Sequence, residues 1–375
     1  MPKSLFRRIT KKFFIITNII LAVLFLLGCY GGWFDPKYFW PLGLLTLASF
    51  YLLGLLLLFV LFWLFVKARW SLISVIAILL AYKPVTNIIP IRFSTGFAKQ
   101  KQDSSLRIMS WNVEHFDILE HKTHPEKKQQ MLDLIKDYQP DIATFQEMVG
   151  SDNVAKAINY IPDIMEQAAF TDYNYSYNPK LDFDGQHHFG IITFSKYPII
   201  NKKTMSYYPN DYNSIFQYTD IVKGADTFRV FNIHLQSLKF SATNLQYIEK
   251  PTITDDGDLK KSRSLISKLK KGFLKRKIQS ERIKEEMDKS PYPVIVCGDF
   301  NDVPNSYAYT TIGKGMQNAF AKKGSGIGRT YSGISPTLRI DNIFLDYKFE
   351  VKQFTRINKK LSDHFPVITD AAIIK

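Results

Sequence analysis

The chain reads as a mixed α/β domain set behind an all-α, membrane-type region. Two observations carry this. Nearly uncharged apolar runs fill residues 13–91, and beyond residue 104 short β-branched runs recur, each stopped by an amide, an acid or an imidazole and interspersed with helix-spaced segments.

Phe13 to Tyr30 and Tyr38 to Val66 are long enough to cross a bilayer at about 20 residues per crossing. Leu52 to Phe65 is apolar on every face, which excludes an ordinary amphipathic surface helix. A third run, about 70–91, has an uninterrupted apolar core only from Ser71 to Tyr82, and Lys83 must snorkel to an interface. Two to three transmembrane helices, near 13–30, 38–66 and 70–91, are therefore expected. Lys3, Arg7, Arg8, Lys11 and Lys12 precede the first run and Lys67 and Arg69 follow the second, so the positive-inside bias places both flanks in the cytoplasm. Three crossings then deliver the rest of the chain to the extracytoplasmic side, periplasmic in a bacterium; two would leave it cytoplasmic. The expected organisation is a transmembrane anchor at 1–91, a linker at 92–103 and a folded domain at 104–375.

The 375 residues, 46% apolar, suffice for such a domain in addition to the anchor. The formal charge of +15 divides about equally, since nine Lys/Arg and one Asp precede residue 92 and leave +7 for the remainder. Much of that remainder lies at 260–284, where basic residues accompany Leu265, Ile266, Leu269, Phe273 and Ile278. This is a basic amphipathic helix, which either holds anionic groups or packs by its apolar stripe with solvated charges. Cys29 falls in a membrane run and Cys297 in a core strand, so the two form no staple.

In chain order, Leu106 to Met109 leads into Ser110-Trp111-Asn112-Val113, and Glu126 to Tyr138 has helical spacing at Met131, Leu132 and Ile135, ending before Pro140. Asp141 to Thr144 ends in Phe145-Gln146-Glu147. Phe189 to Ser195 is a strand stopped by Lys196-Tyr197-Pro198, and Phe228 to Phe231 ends in Asn232-Ile233-His234-Leu235. Pro293 to Cys297, a buried-strand run, ends in Gly298-Asp299-Phe300-Asn301, and the two-residue spacing of Asp299 and Asn301 points both side chains to one side. Arg339 to Phe344 carries Asp341, and Ser362-Asp363-His364-Phe365-Pro366 sets a carboxylate beside an imidazole.

This ordered set resembles the endonuclease/exonuclease/phosphatase superfamily over about residues 104–375. The resemblance implies a four-layer αββα sandwich of the deoxyribonuclease I type, with the active site at one edge between two sheets, and hydrolysis of phosphoesters. A phosphoester is an anion, so water attack calls for a divalent cation. Glu147 is the best metal ligand in the chain, oxygen donors suit Mg²⁺ or Mn²⁺, and no Cys/His cluster has zinc spacing. By the resemblance, Asn112 lies beside the metal and the phosphate, Asp299 orients and deprotonates the water, and Asn301 fixes the phosphate or that Asp. His364 donates to a non-bridging oxygen with Asp341 holding its tautomer, Asp363 assists the metal, and His234 protonates the leaving group or binds phosphate.

Other candidates weigh less. His187 and His188 sit in a polar loop with Asp182 and Asp184, Gly324 to Gly328 reads as a flexible turn, and His115, His121 and His124 rim the cleft or merely occupy a surface loop. The segment Met205 to Tyr218 has no readable motif. The anchor favours a phospholipid or sphingomyelin-type diester as substrate, the basic excess favours DNA or RNA, and a catalytically silent receptor for phosphorylated ligands is disfavoured by the complete set of acids, amides and imidazoles. The expectation is a membrane-embedded enzyme with a phosphoester substrate and no protein partner.

Overall fold

The computed structural model describes residues 3–92, 96–101, 104–151, 157–182, 185–206, 215–249 and 256–374. Helices Lys3–Tyr30 and Pro41–Lys67 pack side by side through Leu21, Phe25, Leu53 and Leu56. Among the described residues, two helical stretches, Leu5–Trp33 and Pro41–Leu80, are long and apolar enough to cross a membrane. The third expected run is divided. Helix Ser71–Leu80 breaks at Ala81 (φ −95°, ψ 20°) and resumes as Tyr82–Ile88, and it joins the first helix through a buried hydrogen bond from Ser74 Oγ to Asn18 Oδ1 (2.7 Å). Lys11 and Arg69 both approach the Trp70 ring, so the two basic flanks share one end of the bundle.

The opposite end of the bundle sits on the folded domain. A Cβ on Gly32 would lie 2.4 Å from the Asn305 carbonyl, so glycine is what lets the helix connection approach that closely. Asn87 donates to Asn305 (2.9 Å), Asn305 donates to the Pro84 carbonyl (3.0 Å), and Lys277 pairs with Asp35 (3.5 Å). The described part of the expected linker is also packed down, with Lys101 on Asp141 (2.5 Å) and Ala98 bonded to Gln353 (2.9 Å).

Among the described residues twelve strands follow: β1 (Leu106–Asn112), β2 (Ile142–Gly150), β3 (Asp172–Tyr177), β4 (His188–Ser195), β5 (Ile199–Ser206), β6 (Ile215–Lys223), β7 (Asp226–His234), β8 (Val294–Asp299), β9 (Met316–Asn318), β10 (Asp341–Asp346), β11 (Phe349–Arg356) and β12 (Val367–Ile373). They form two six-stranded sheets, ordered β11-β12-β1-β2-β4-β3 and β5-β6-β7-β8-β10-β9. The turn at Lys196 to Pro198 carries the chain from the first sheet to the second. Ile108, Ile142, Val230, Ile295, Ile343 and Val367 fill the space between the sheets. Helix Pro125–Tyr138 covers the first sheet through Met131, Leu132, Leu134 and Ile135, and helix Asp256–Asp288 covers the second through Ile283 and Met287. These are the four layers expected.

Helix Asp256–Asp288 contains the basic stretch, and much of its charge is used internally. Arg276 pairs with Asp302 (3.0 Å), Lys268 donates to the Lys239 carbonyl (2.8 Å) and Lys270 lies over the Trp40 ring. The expected polar loop at His188 is instead the first residue of β4, paired with Asp182 (2.8 Å) and stacked on Tyr177. Within Met205 to Tyr218, Met205 and Ser206 end β5 and Ile215 to Tyr218 begin β6; residues 207–214 lie outside the described residues, as does Asp184.

Candidate active site

Strand register gathers the polar termini. The β1–β2 pair is parallel with Asn112 opposite Gln146, the β7–β8 pair is parallel with His234 opposite Asp299, and β10 runs antiparallel to β8 with Asp341 opposite Asp299. Both sheets thus present their functional residues at the same edge. Gly298, at φ +146°, allows β7 and β8 to close up, since a Cβ there would meet the Ile233 carbonyl at 1.9 Å.

Asp299 is the hub. Its Oδ1 accepts from the Asn301 backbone N–H (2.7 Å), and its Oδ2 accepts from Asn301 Nδ2 (3.2 Å) and Asn112 Nδ2 (3.3 Å). Asn301 lies just past the strand with φ +49°, a turn geometry that asparagine tolerates, and so it wraps its own Asp. His234 Nε2 lies 3.5 Å from Asp299 Oδ2 and 3.6 Å from Glu147 Oε1, while His364 Nε2 lies 3.7 Å from Asp299 Oδ2. His364 Nδ1 donates to Asp341 Oδ2 (2.8 Å). The His364 loop is tied to β1 by Ser362 Oγ donating to the Asn112 carbonyl (2.8 Å) and Trp111 Nε1 donating to the His364 carbonyl (3.0 Å).

Glu147 departs from the expected strand end. It sits inside β2, where the register with β4 slips between Phe145 and Met148, and has φ +54°. A bulge turns one side chain out of the alternating pattern, and here it aims the carboxylate into the cleft. Asp363 enters from the loop before β12, its backbone N–H donating to Glu114 Oε2 (3.0 Å). Glu114, two residues beyond Asn112, and Tyr331, whose ring lies 5.0 Å from that of His364, belong to the same neighbourhood and were missed in the sequence. His121 and His124 turn elsewhere, to the Ile118 carbonyl and to Asp117, while His115 packs on Phe189 within electrostatic reach of Asp363.

The electrostatics follow from crowding acids in a buried edge. Burial, then the neighbouring Asp363, pushes Glu147 up to about 6. Burial also raises Asp299 to about 8, with the charge of His364 opposing and that of Asp341 adding. For His364 burial disfavours the charged ring, but Asp341 and Asp299 outweigh it and hold the imidazole well above its usual value. Glu147 and Asp363 set two carboxylates near each other whose mutual repulsion a hard divalent cation would relieve, while Asn112 beside them donates its amide N–H to Asp299 and accepts from the Glu114 N–H. The residues therefore fit such an ion. Asp299, Asp341 and His364 also bring ligand atoms within 4.8 Å of one another, a possible acidic/His metal site. Since Nδ1 of His364 is already given to Asp341, this trio is better suited to holding a protonated imidazole than to ligating a hard cation.

Two sheets meeting at an edge of acids, amides and imidazoles define a phosphoesterase-type αββα sandwich. The family model described as "Endonuclease/Exonuclease/phosphatase family" matches residues 109–364, and the chain belongs to that family. Members of the family hydrolyse phosphoester bonds and are typically dependent on divalent metals. A second model, a domain of unknown function (DUF8431), matches residues 11–88. No curated protein matches the chain in sequence. Among solved structures, an endonuclease/exonuclease/phosphatase family protein from Bacteroides thetaiotaomicron is similar at 16% identity, with 73% of this chain and 100% of that chain covered and a TM-score of 0.53. The human Nocturnin catalytic domain with bound sulfate is similar at 16% identity, covering 73% and 97% (TM-score 0.51). TDP2 of D. rerio complexed with a single-strand DNA product is similar at 15% identity, covering 72% and 99% (TM-score 0.50).

Proposed function

We propose that the protein is a membrane-anchored, Mg²⁺- or Mn²⁺-dependent phosphodiesterase whose catalytic domain faces away from the cytoplasm. The observation that carries the reading is the convergence of Asp299, Asn301, His234, His364 and Glu147 within hydrogen-bond or near-contact distances at one sheet edge. A divalent ion held by Glu147, Asn112 and Asp363 would neutralise phosphoryl charge. Asp299, fixed by Asn301 and Asn112 and ionised once a bound cation offsets the burial that raises it, would orient a water and take its proton. His364, kept protonated and oriented by Asp341, donates to a non-bridging oxygen as charge develops there. His234, beside both Asp299 and Glu147, binds phosphate or supplies the leaving-group proton.

The anchoring reading rests on the two long apolar helices and on the bundle's polarity, with Lys11 and Arg69 at one end and the domain at the other. A second reading, an endonuclease on DNA or RNA, is favoured by the remaining basic residues of helix Asp256–Asp288 and by the fold shared with the DNA-complexed TDP2. The deciding experiment is hydrolysis by the detergent-purified full chain of bis(p-nitrophenyl) phosphate, lipid diesters and plasmid DNA, with and without Mg²⁺. Metal-dependent cleavage of the aryl diester with lipids preferred over DNA supports the leading reading; a reaction indifferent to excess chelator would sink it.

A further inference from the structure

The active-site cleft does not end at its polar residues. It continues as a groove of about 400 Å³ from Glu147, Asp299 and His364 to two residues of helix Pro41–Lys67, Leu47 and Tyr51. Leu238, Leu245, Leu265 and Leu269 line one side, and Ile334 and Leu338 line the other. The volume is that of a small-molecule site, and away from the catalytic edge its exposed wall is chiefly apolar, with Phe240 among the aliphatic residues, which favours an acyl chain over a hydrated sugar. Tyr51 lies ten residues into its helix, about 15 Å from the helix start. Its hydroxyl is 2.8 Å from Ser335 Oγ, so the loop carrying Ile334 and Leu338 is pinned to the flank of a membrane-type helix. On the reading that this helix crosses a bilayer, the groove opens beside its first turns, where Ile334, more than a third exposed, adds apolar surface to the wall. Lys268 and Lys239 lie beside it, held together by the bond from Lys268 Nζ to the Lys239 carbonyl.

On the reading that the site is a phosphoesterase, we infer that its substrate is a membrane phospholipid, taken with the phosphate at Asn301 and His364 and an acyl chain laid along this groove toward Leu47 and Tyr51. Entry is lateral from the bilayer. The lipid's chain leaves one apolar medium for another, so little hydrophobic free energy is lost when the phosphate is raised to the catalytic edge. A soluble substrate gains nothing from such a wall.

The test uses the full chain in detergent and p-nitrophenyl alkyl phosphodiesters bearing butyl, octyl and dodecyl chains, with bis(p-nitrophenyl) phosphate as the tail-less reference. Burial contributes roughly fourfold per methylene at best, so kcat/KM should rise by at least roughly tenfold from butyl to octyl. Leu245→Asp and Leu269→Asp, at an exposed and a half-buried position of the groove wall, should flatten that rise and leave the reference substrate unchanged. Binding of a pyrene-labelled phosphatidylglycerol to Asp299→Asn protein gives a readout independent of turnover, and the groove variants should abolish it. Unchanged reference activity with no dependence on chain length would overturn the groove inference and leave the phosphoesterase reading intact. Groove-dependent lipid binding without hydrolysis of any substrate would uphold the groove and overturn the hydrolase. Plasmid cleavage exceeding that of every lipid and insensitive to Leu245→Asp would overturn the lipid assignment.

Discussion

Arg339 Nη1 donates to the carbonyl of Ile88 at 3.1 Å, joining a residue two positions before Asp341 to the end of helix Tyr82–Ile88. The same guanidinium reaches the Asn87 and Ile327 carbonyls and lies over the Phe320 ring. Among the described residues no carboxylate answers it. Burial lowers its pKa to about 10, so it is still charged at neutral pH, and two of its partners, Asn87 and Ile88, offer carbonyls at a helix C-terminus, where the backbone dipoles are negative. The N-terminal helical bundle is thereby coupled to the strand that carries Asp341.

Arg339→Met should leave those carbonyls unpaired at about 1–3 kcal/mol each and release Asp341 from its support. The expected result is a clear drop in melting temperature and about a tenfold loss of kcat on an aryl phosphodiester with KM little changed. A fragment beginning at residue 93 should behave alike, because it lacks the same partners. Full activity of that fragment would show that the bundle is only a tether.

Direct catalytic roles predict larger effects. Asp299→Asn and His364→Ala each remove a group that meets charge developing in the transition state, and turnover should fall about a hundredfold or more in each, with a far smaller change in KM. Asp341→Asn should cost less, since it loosens only the 2.8 Å bond that orients His364. Steady-state kinetics on one soluble diester distinguishes them. Losses carried wholly by KM would remove these residues from the chemistry.

Much of the domain edge was legible because strands place side chains at fixed intervals. Asn112, His234, Asp299 and Asp341 stand at strand termini where β-branched runs give way to polar residues, and the register does the rest. Glu147 was found for its charge but not its place, since a bulge and a positive φ are imposed by neighbouring strands. Glu114 and Tyr331 left no local pattern: each enters the site through contacts between distant segments. The docking of the bundle was equally hidden. A carbonyl offered by Ile88 to Arg339 has no signature in either residue, and an apolar run long enough for a membrane does not say which of its turns lie against protein.

Metal removal should silence the enzyme. Glu147 is the acid that projects into the cleft from a strand, with its side chain about a quarter exposed and near Asp363, so Glu147→Gln should take most of the divalent-ion affinity and leave the fold intact. Isothermal titration with Mn²⁺, together with circular dichroism of the variant, checks both halves. Equal affinity in wild type and variant would move the ion elsewhere.

The same acids make stability depend on pH in a defined direction. Glu147 and Asp299 are raised in the fold to about 6 and about 8, so their protonated forms are favoured there. That contribution is full below the unfolded carboxyl values near 4 and is lost as pH rises through the folded ones. His364, also raised, adds stability that is lost as pH rises through its folded value and its proton leaves. Metal-free protein should therefore melt progressively lower between about pH 5 and 8. Mg²⁺ competes with those protons, so its stabilising effect should be greater at pH 8 than at pH 5. Thermal scans at both pH values with and without Mg²⁺ decide it, and a larger Mg²⁺ shift at the acid end would contradict the assignment.

Topology carries the last prediction. Lys11 and Arg69 meet at Trp70, and the helices between them and the domain run away from that end, back to it and away again: Lys3–Tyr30, Pro41–Lys67 and Ser71–Ile88. If the basic end is cytoplasmic, as the positive-inside bias requires, the domain lies outside the cytoplasm. The third passage is the test of the scheme. Its 18 residues, broken at Ala81, rise about 27 Å, slightly less than the hydrocarbon thickness of a typical bilayer. Alkaline phosphatase, which folds only where disulfides form, should be active when fused after Lys101 and inactive when fused after Arg69. A silent Lys101 fusion together with a bright cytoplasmic fluorescent reporter at the same point would place the domain inside. The basic end would then have to lie outside, against the charge bias, or the third segment would have to lie along the interface and not across the membrane.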